Sequence, residues 1–186
     1  MGGRTTMAES LLLNHNIPKV VIFTDASYDK DLKVGAWYCY IRIGDKKVKT
    51  GGVIVTDVEN STEAERVGVA NSLWLANKMV DLTKHKVILY CDNMSAMKPI
   101  GYTNKTGAKR QRGKQQLAFY QKNIEPYLQK AKITDIRYIK GHALRSKRFK
   151  PKPRHLIHDL IDKEAKKLLD DYRLTYKQKY DRMETT

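Results

Sequence analysis

Acidic residues are nearly missing from the middle of this 186-residue chain. Between Lys98 and Arg154 stand 17 Lys and Arg against only Glu125 and Asp135, a local charge of +15. The remaining residues carry 19 basic and 18 acidic side chains, so almost all of the net +16 belongs to one segment. A basic excess segregated in this way is the electrostatic footprint of a nucleic-acid partner. Cysteine is scarce as well: Cys39 and Cys91 are the only two. Both fall in strand-like stretches, which excludes a disulfide scaffold and reads as buried thiols in a reducing intracellular compartment such as cytoplasm, nucleoid, nucleus or virion. Long apolar runs are lacking, which excludes a helical membrane span; no membrane partner is expected. The opening MGGRTTMAES has no basic-then-apolar layout of a secretory signal. Residues 1–18 read as an N-terminal arm, with Met7 offering a second start.

A hydrophobic fraction of 41% over this length suits one globular domain, expected over 19–175, with a tail at 176–186. Two short apolar runs, Val20–Thr24 and Val87–Cys91, stop at Asp25 and Asp92. Continuous β-branched runs of this length read as strands buried on both faces. Carboxylates at their ends are costly to desolvate unless something pairs with them. Strands are also expected at 34–43 and 47–55 around a Gly44-Asp45-Lys46 turn, and at 134–139. Helices are expected at 62–80, just after Asp92, at 115–131, and from Leu156 past Tyr172. Residues 102–114 and 143–154 read as exposed basic loops. The order β-β-β-α-β-α-α-β-α makes a mixed five-stranded α/β sheet, an antiparallel meander continued by parallel strands and flanked by helices.

More acids face the same core. With about 100° per residue, Glu65 shares its helix face with Gly68, Val69, Ser72, Leu73 and Ala76, whereas Glu63 lies among Arg66, Asn77 and Lys78. Glu65 is therefore the acid that packs toward the sheet. Asp162 borders the apolar side of the last helix, formed by Ile157, Ile161, Ala165 and Leu168. Each acid has a plainer reading, as a helix cap, a turn residue or a surface charge.

Taken in order, these segments resemble the ribonuclease H family, type 1 and retroviral branches. Thr24-Asp25-Ala26-Ser27 resembles the opening TDGS, with Gly35-Ala36-Trp37-Tyr38 in the next strand. Ala64-Glu65-Arg66-Val67-Gly68 resembles the AE helix, Tyr90-Cys91-Asp92-Asn93 the TDS strand end, and Ile139-Lys140-Gly141-His142-Ala143 the VKGHA segment. Ala26 stands where the family carries glycine, Asn93-Met94 where it carries Ser-Gln, and His158 where it carries asparagine. The resemblance implies a catalytic and metal-binding set of Asp25, Glu65, Asp92 and Asp162, with His142 assisting proton handling or product release. Hard carboxylate oxygens suit two Mg²⁺, or Mn²⁺.

The implied activity is endoribonuclease cleavage of the RNA strand of an RNA–DNA hybrid by two-metal-ion hydrolysis. Ser27 and Asn93 would touch nucleic acid. Lys105, Lys109, Arg110, Arg112 and Lys114 in the first basic loop, and Arg145, Lys147, Arg148 and Lys150 in the second, would follow its phosphates. Two alternatives stay open at this point. One is another nuclease of the same fold, a junction resolvase or transposase-like enzyme; the other is a binding module without catalysis.

Overall fold

The structure is a computed structural model that describes residues 17–56, 58–97, 108–141 and 150–184. Three strands form an antiparallel meander: β1 (Lys19–Asp29), β2 (Val34–Ile43) and β3 (Lys46–Ile54). The β2–β3 turn is Gly44-Asp45, and Gly44 has the positive φ of 57° that such a turn needs. Helix α1 (Ser61–Met79) follows, then strand β4 (Lys86–Cys91) and the single-turn helix α2 (Met94–Met97). Helices α3 (Ala108–Asn123) and α4 (Glu125–Lys130) lead into β5 (Ile133–Tyr138), and the long α5 (Pro153–Glu184) ends the chain.

The sheet order is β3-β2-β1-β4-β5, antiparallel on the β3-β2-β1 side and parallel through β1-β4-β5. Side-chain alternation in β1 divides the core. Val20 and Ile22 pack with Val69 and Leu73 of α1, while Val21 and Phe23 pack with Ile161 of α5. The sheet is thus covered by α1 on one face and α5 on the other. Cys39 and Cys91 are buried free thiols, as expected. No helix among the described residues is long and apolar enough to cross a membrane.

Several boundaries differ from the sequence reading, and the one helix expected over 115–131 is two, α3 and α4, parted at Ile124. Strand β1 does not stop at Asp25 but runs four residues further, because β2 continues to pair with it as far as Asp29↔Val34. The basic segment expected as a loop over 102–114 is helical from Ala108. It carries no apolar stripe, so periodicity could not reveal it, although Ala, Lys, Arg and Gln all favour helix. Helix α5 starts at Pro153 rather than near Leu156 and continues to Glu184, through most of the expected tail. Proline is suited to the first helical turn. Here the turn is closed by His155 N–H donating to the Lys152 carbonyl (2.8 Å) and Lys152 N–H donating to His155 Nδ1 (2.9 Å).

Candidate active site

The site forms where β1 outruns β4. Their parallel pairing ends at Phe23↔Tyr90, so Asp25 lies just beyond it and Asp92 is the first residue after β4. By alternation Asp25 opens on the same side as Val21 and Phe23, the side covered by α5. Asp162 follows the buried Ile161 of that helix. Glu65 arrives from α1 and is 7% exposed. The start of α1 is set by Asn60, whose side chain accepts the Glu63 N–H at 3.1 Å. Its close seat on the sheet depends on Gly68, where an added Cβ would lie 3.1 Å from Trp37 Cβ and 3.3 Å from Thr24 Oγ1.

One cleft of about 460 Å³ is lined by Asp25, Glu65, Asp92 and Asp162, together with Ser27, Lys166 and Arg173. Asp25 accepts the Ala26 N–H at 2.9 Å, yet burial, and then the charge of Asp92, push its carboxyl up to about 7. Burial, then Asp25 and Asp92, raise Glu65 well above the usual carboxylate range. Glu65 Oε2 is buried and has no hydrogen-bond partner among the described residues. Lys166 offsets part of the charge, with Nζ 2.6 Å from Asp162 Oδ2. Arg173 is tied to Asp29 at the end of β1 and to Asp170 at 2.7 Å. A converging set of four carboxylates, with one buried oxygen orphaned and with Lys166 offsetting Asp162, fits a divalent cation. Ligand atoms of Asp25, Asp92 and His158 lie within 4.8 Å of one another, and so do those of Glu65, Cys91 and Asp92. Burial holds the Cys91 thiol well above its ordinary pKa, and its soft sulfur suits Mg²⁺ or Mn²⁺ less well than the carboxylate oxygens of the same group.

The other residues named from sequence divide five ways. Ser27 lines the cleft. Asn93 caps α2, its Oδ1 accepting from Ser95 N–H at 3.0 Å and its Nδ2 donating to Thr62 Oγ1 at 3.3 Å. Lys114 on α3 and Lys150 just before α5 are exposed. Lys109, Arg110 and Arg112 belong to α3, their side chains outside the described set; Lys105, His142, Arg145, Lys147 and Arg148 lie outside the described residues altogether. Sequence reasoning did not place Lys166, Arg173, Gly141 or His158 in the site. Gly141 abuts Asp92: a Cβ there would be 2.3 Å from Asp92 Oδ2. Its signal was the KGHA segment. For Lys166 and His158 it was their spacing of four from Asp162, one turn of the same helix face.

No protein-family model and no curated protein matches this chain. Solved structures do. The fold is that of ribonuclease H. The chain is similar to the N-terminal RNase H domain of a Mycobacterium tuberculosis protein, solved as a fusion with maltose-binding protein, at TM-score 0.53 and 13% identity. That match covers 79% of this chain and 98% of the other. RNase H1 from the halophilic archaeon Halobacterium salinarum is similar at TM-score 0.53 and 17% identity, covering 82% and 98%. The ribonuclease H likeness agrees with the five-strand order and with the expected mixed α/β class.

Proposed function

We propose that the protein is a metal-dependent endonuclease that hydrolyses the RNA strand of RNA–DNA hybrids. The observation that carries this is the meeting of Asp25, Glu65, Asp92 and Asp162, from four separate elements, in one cleft of a ribonuclease H fold. Similar folds host different chemistries, so the reading rests on the site rather than on the fold. These four carboxylates would hold divalent cations, two Mg²⁺ or Mn²⁺. When bound, such ions supply a water nucleophile at neutral pH and stabilise charge on the leaving oxygen. Asp25, Glu65, Asp92 and Asp162 would together hold them, and Asp92 is common to both groups of close ligand atoms.

The chain's own groups position the substrate. Ser27 and the neighbouring backbone line the cleft and would sense the 2′-hydroxyls that distinguish RNA from DNA. Lys166 and Arg173 line the same cleft and would meet phosphates, as would the basic residues of the 98–154 segment. Arg173 is already ordered by its ion pair with Asp29, so less freedom is lost when it engages a phosphate.

The test is a cleavage panel of RNA–DNA hybrid, duplex RNA, single-stranded RNA, duplex DNA and four-way junction, each with and without Mg²⁺ or Mn²⁺. The expected result is metal-dependent cutting of the RNA strand of the hybrid. Preference for the junction, or binding of hybrid without cutting under any metal, would sink the proposal.

A further inference from the structure

We propose that His158 is a nitrogen ligand at the metal site, and that it biases the site toward Mn²⁺ and Co²⁺ over Mg²⁺. The inference deepens the metal-dependent reading above and rests on it. His158 stands one helical turn before Asp162 on α5 and is only 3% exposed. A ring nitrogen of His158 and carboxylate oxygens of Asp25 and Asp92 all lie within 4.8 Å of one another. Ligand atoms around a single small ion are separated by a similar span, since metal–ligand bonds are about 2.0–2.3 Å. Glu65 gives an independent pointer: the residue is only 7% exposed, lines the cleft with Asp25 and Asp92, and leaves its buried Oε2 without a hydrogen-bond partner among the described residues. An unsatisfied buried oxygen of this kind is costly unless a ligand meets it.

The chemistry of the donor set then decides the metal. Mg²⁺ demands near-octahedral oxygen ligands and keeps its waters, so an imidazole contributes little to its binding. Imidazole nitrogen suits borderline first-row ions, and the order of affinities rises from Mn²⁺ to Co²⁺. A site of carboxylates alone discriminates weakly among these ions. One imidazole added beside Asp25 and Asp92 converts it into a mixed nitrogen–oxygen site. Helix α5 sets the placement, because residues four apart share a face and Asp162 and His158 therefore approach the acids together.

The test uses the full-length protein with Mn²⁺ alone, added below one equivalent, and reads nitrogen hyperfine coupling by pulsed electron paramagnetic resonance. Coupling to ¹⁴N is expected in the wild type. It should persist in His142→Ala, which removes the other imidazole that the sequence resemblance brings to the site, and vanish in His158→Asn. Calorimetry with Mn²⁺ and Mg²⁺ separately should show Mn²⁺ affinity reduced on the order of tenfold in His158→Asn, with Mg²⁺ affinity changed by less than about twofold. Absence of ¹⁴N coupling in the wild type overturns the proposal without any substitution, so a variant that fails to fold cannot shelter it. Coupling that disappears in His142→Ala and survives in His158→Asn overturns it too. If metals bind and hybrid is cut but nitrogen coupling is absent, only the role of His158 falls. If neither Mn²⁺ nor Mg²⁺ binds and no hybrid is cut, the metal-dependent reading falls with it.

Discussion

Gly141 has no side chain, and Asp92 occupies the space one would need. A Cβ at 2.3 Å from Asp92 Oδ2 is closer than any real contact, so Gly141→Ala forces the carboxylate or the segment after β5 to move. Metal affinity and cleavage should fall tenfold or more, an estimate based on the sensitivity of sites to ligand orientation. The melting temperature should change little, because the residue lies at the cleft rather than in the core; a variant with wild-type metal affinity would refute the contact. Asp92→Asn tests the ligand itself. Removing one charge from a crowded acid cluster relieves repulsion, so the protein should melt no lower than wild type while hybrid cleavage drops by more than about 100-fold. An active Asp92→Asn would remove Asp92 from the catalytic set. Among the acids, Asp25, Glu65 and Asp92 could be named from residue type and spacing alone. Gly141 could not, since the reason for a glycine is a neighbour that folding supplies.

Helices α1 and α5 deliver their acids only because each is held close against the sheet. Gly68 sets the approach of α1: Trp37 and Thr24 already fill the space beside its Cα. Gly68→Val should therefore push the helix outward, destabilise the protein by about 1–3 kcal/mol and withdraw Glu65. Chemical denaturation gives the first effect and metal titration the second; loss of stability with wild-type metal binding would show that Glu65 does not depend on this seat. The helical wheel identified the Glu65 face correctly because that face is small or apolar for several turns, a pattern local sequence records. The start of α3 was not legible, as a helix without an apolar stripe looks like a polar loop. The start of α5 had a signal, Pro153, that can be read either as a loop residue or as the first turn of a helix; the Lys152–His155 hydrogen bonds decide which.

Charge governs the molecule as a whole. Hybrid affinity should fall by about 100-fold or more between 50 and 200 mM salt, as several phosphate contacts require. An affinity flat over that range would mean that the basic segment does not touch the backbone. Stability has its own pH dependence. The Leu32 N–H, with further help from Arg173, holds the Asp29 carboxyl below the usual range, and Arg137 does the same for Asp135. A depressed folded-state pKa gives stability that is present above the unfolded value of about 3.9 and lost as pH falls through the folded value. The denaturation midpoint should therefore decline once pH drops below about 4, and Asp29→Asn should make that decline shallower. An unchanged acid profile in Asp29→Asn would show that its hydrogen bonds and the link to Arg173 carry no net stability.

The sequence by itself determined the strand order along the chain, the face on which Glu65 lies, and the segregation of positive charge, because each is written in local periodicity or composition. Asp25 and Asp92 were also legible, as the residues that interrupt apolar runs. Only the tertiary structure decided that β1 continues past Asp25, since that depends on pairing with β2 after β4 has ended. It alone brought Lys166 and Arg173 to the cleft wall, set Gly141 against Asp92, and placed the His158 ring beside Asp25 and Asp92. Those are distances between elements far apart in sequence: a spacing of four puts Lys166 and His158 on the face of Asp162, but what that face meets is supplied by folding.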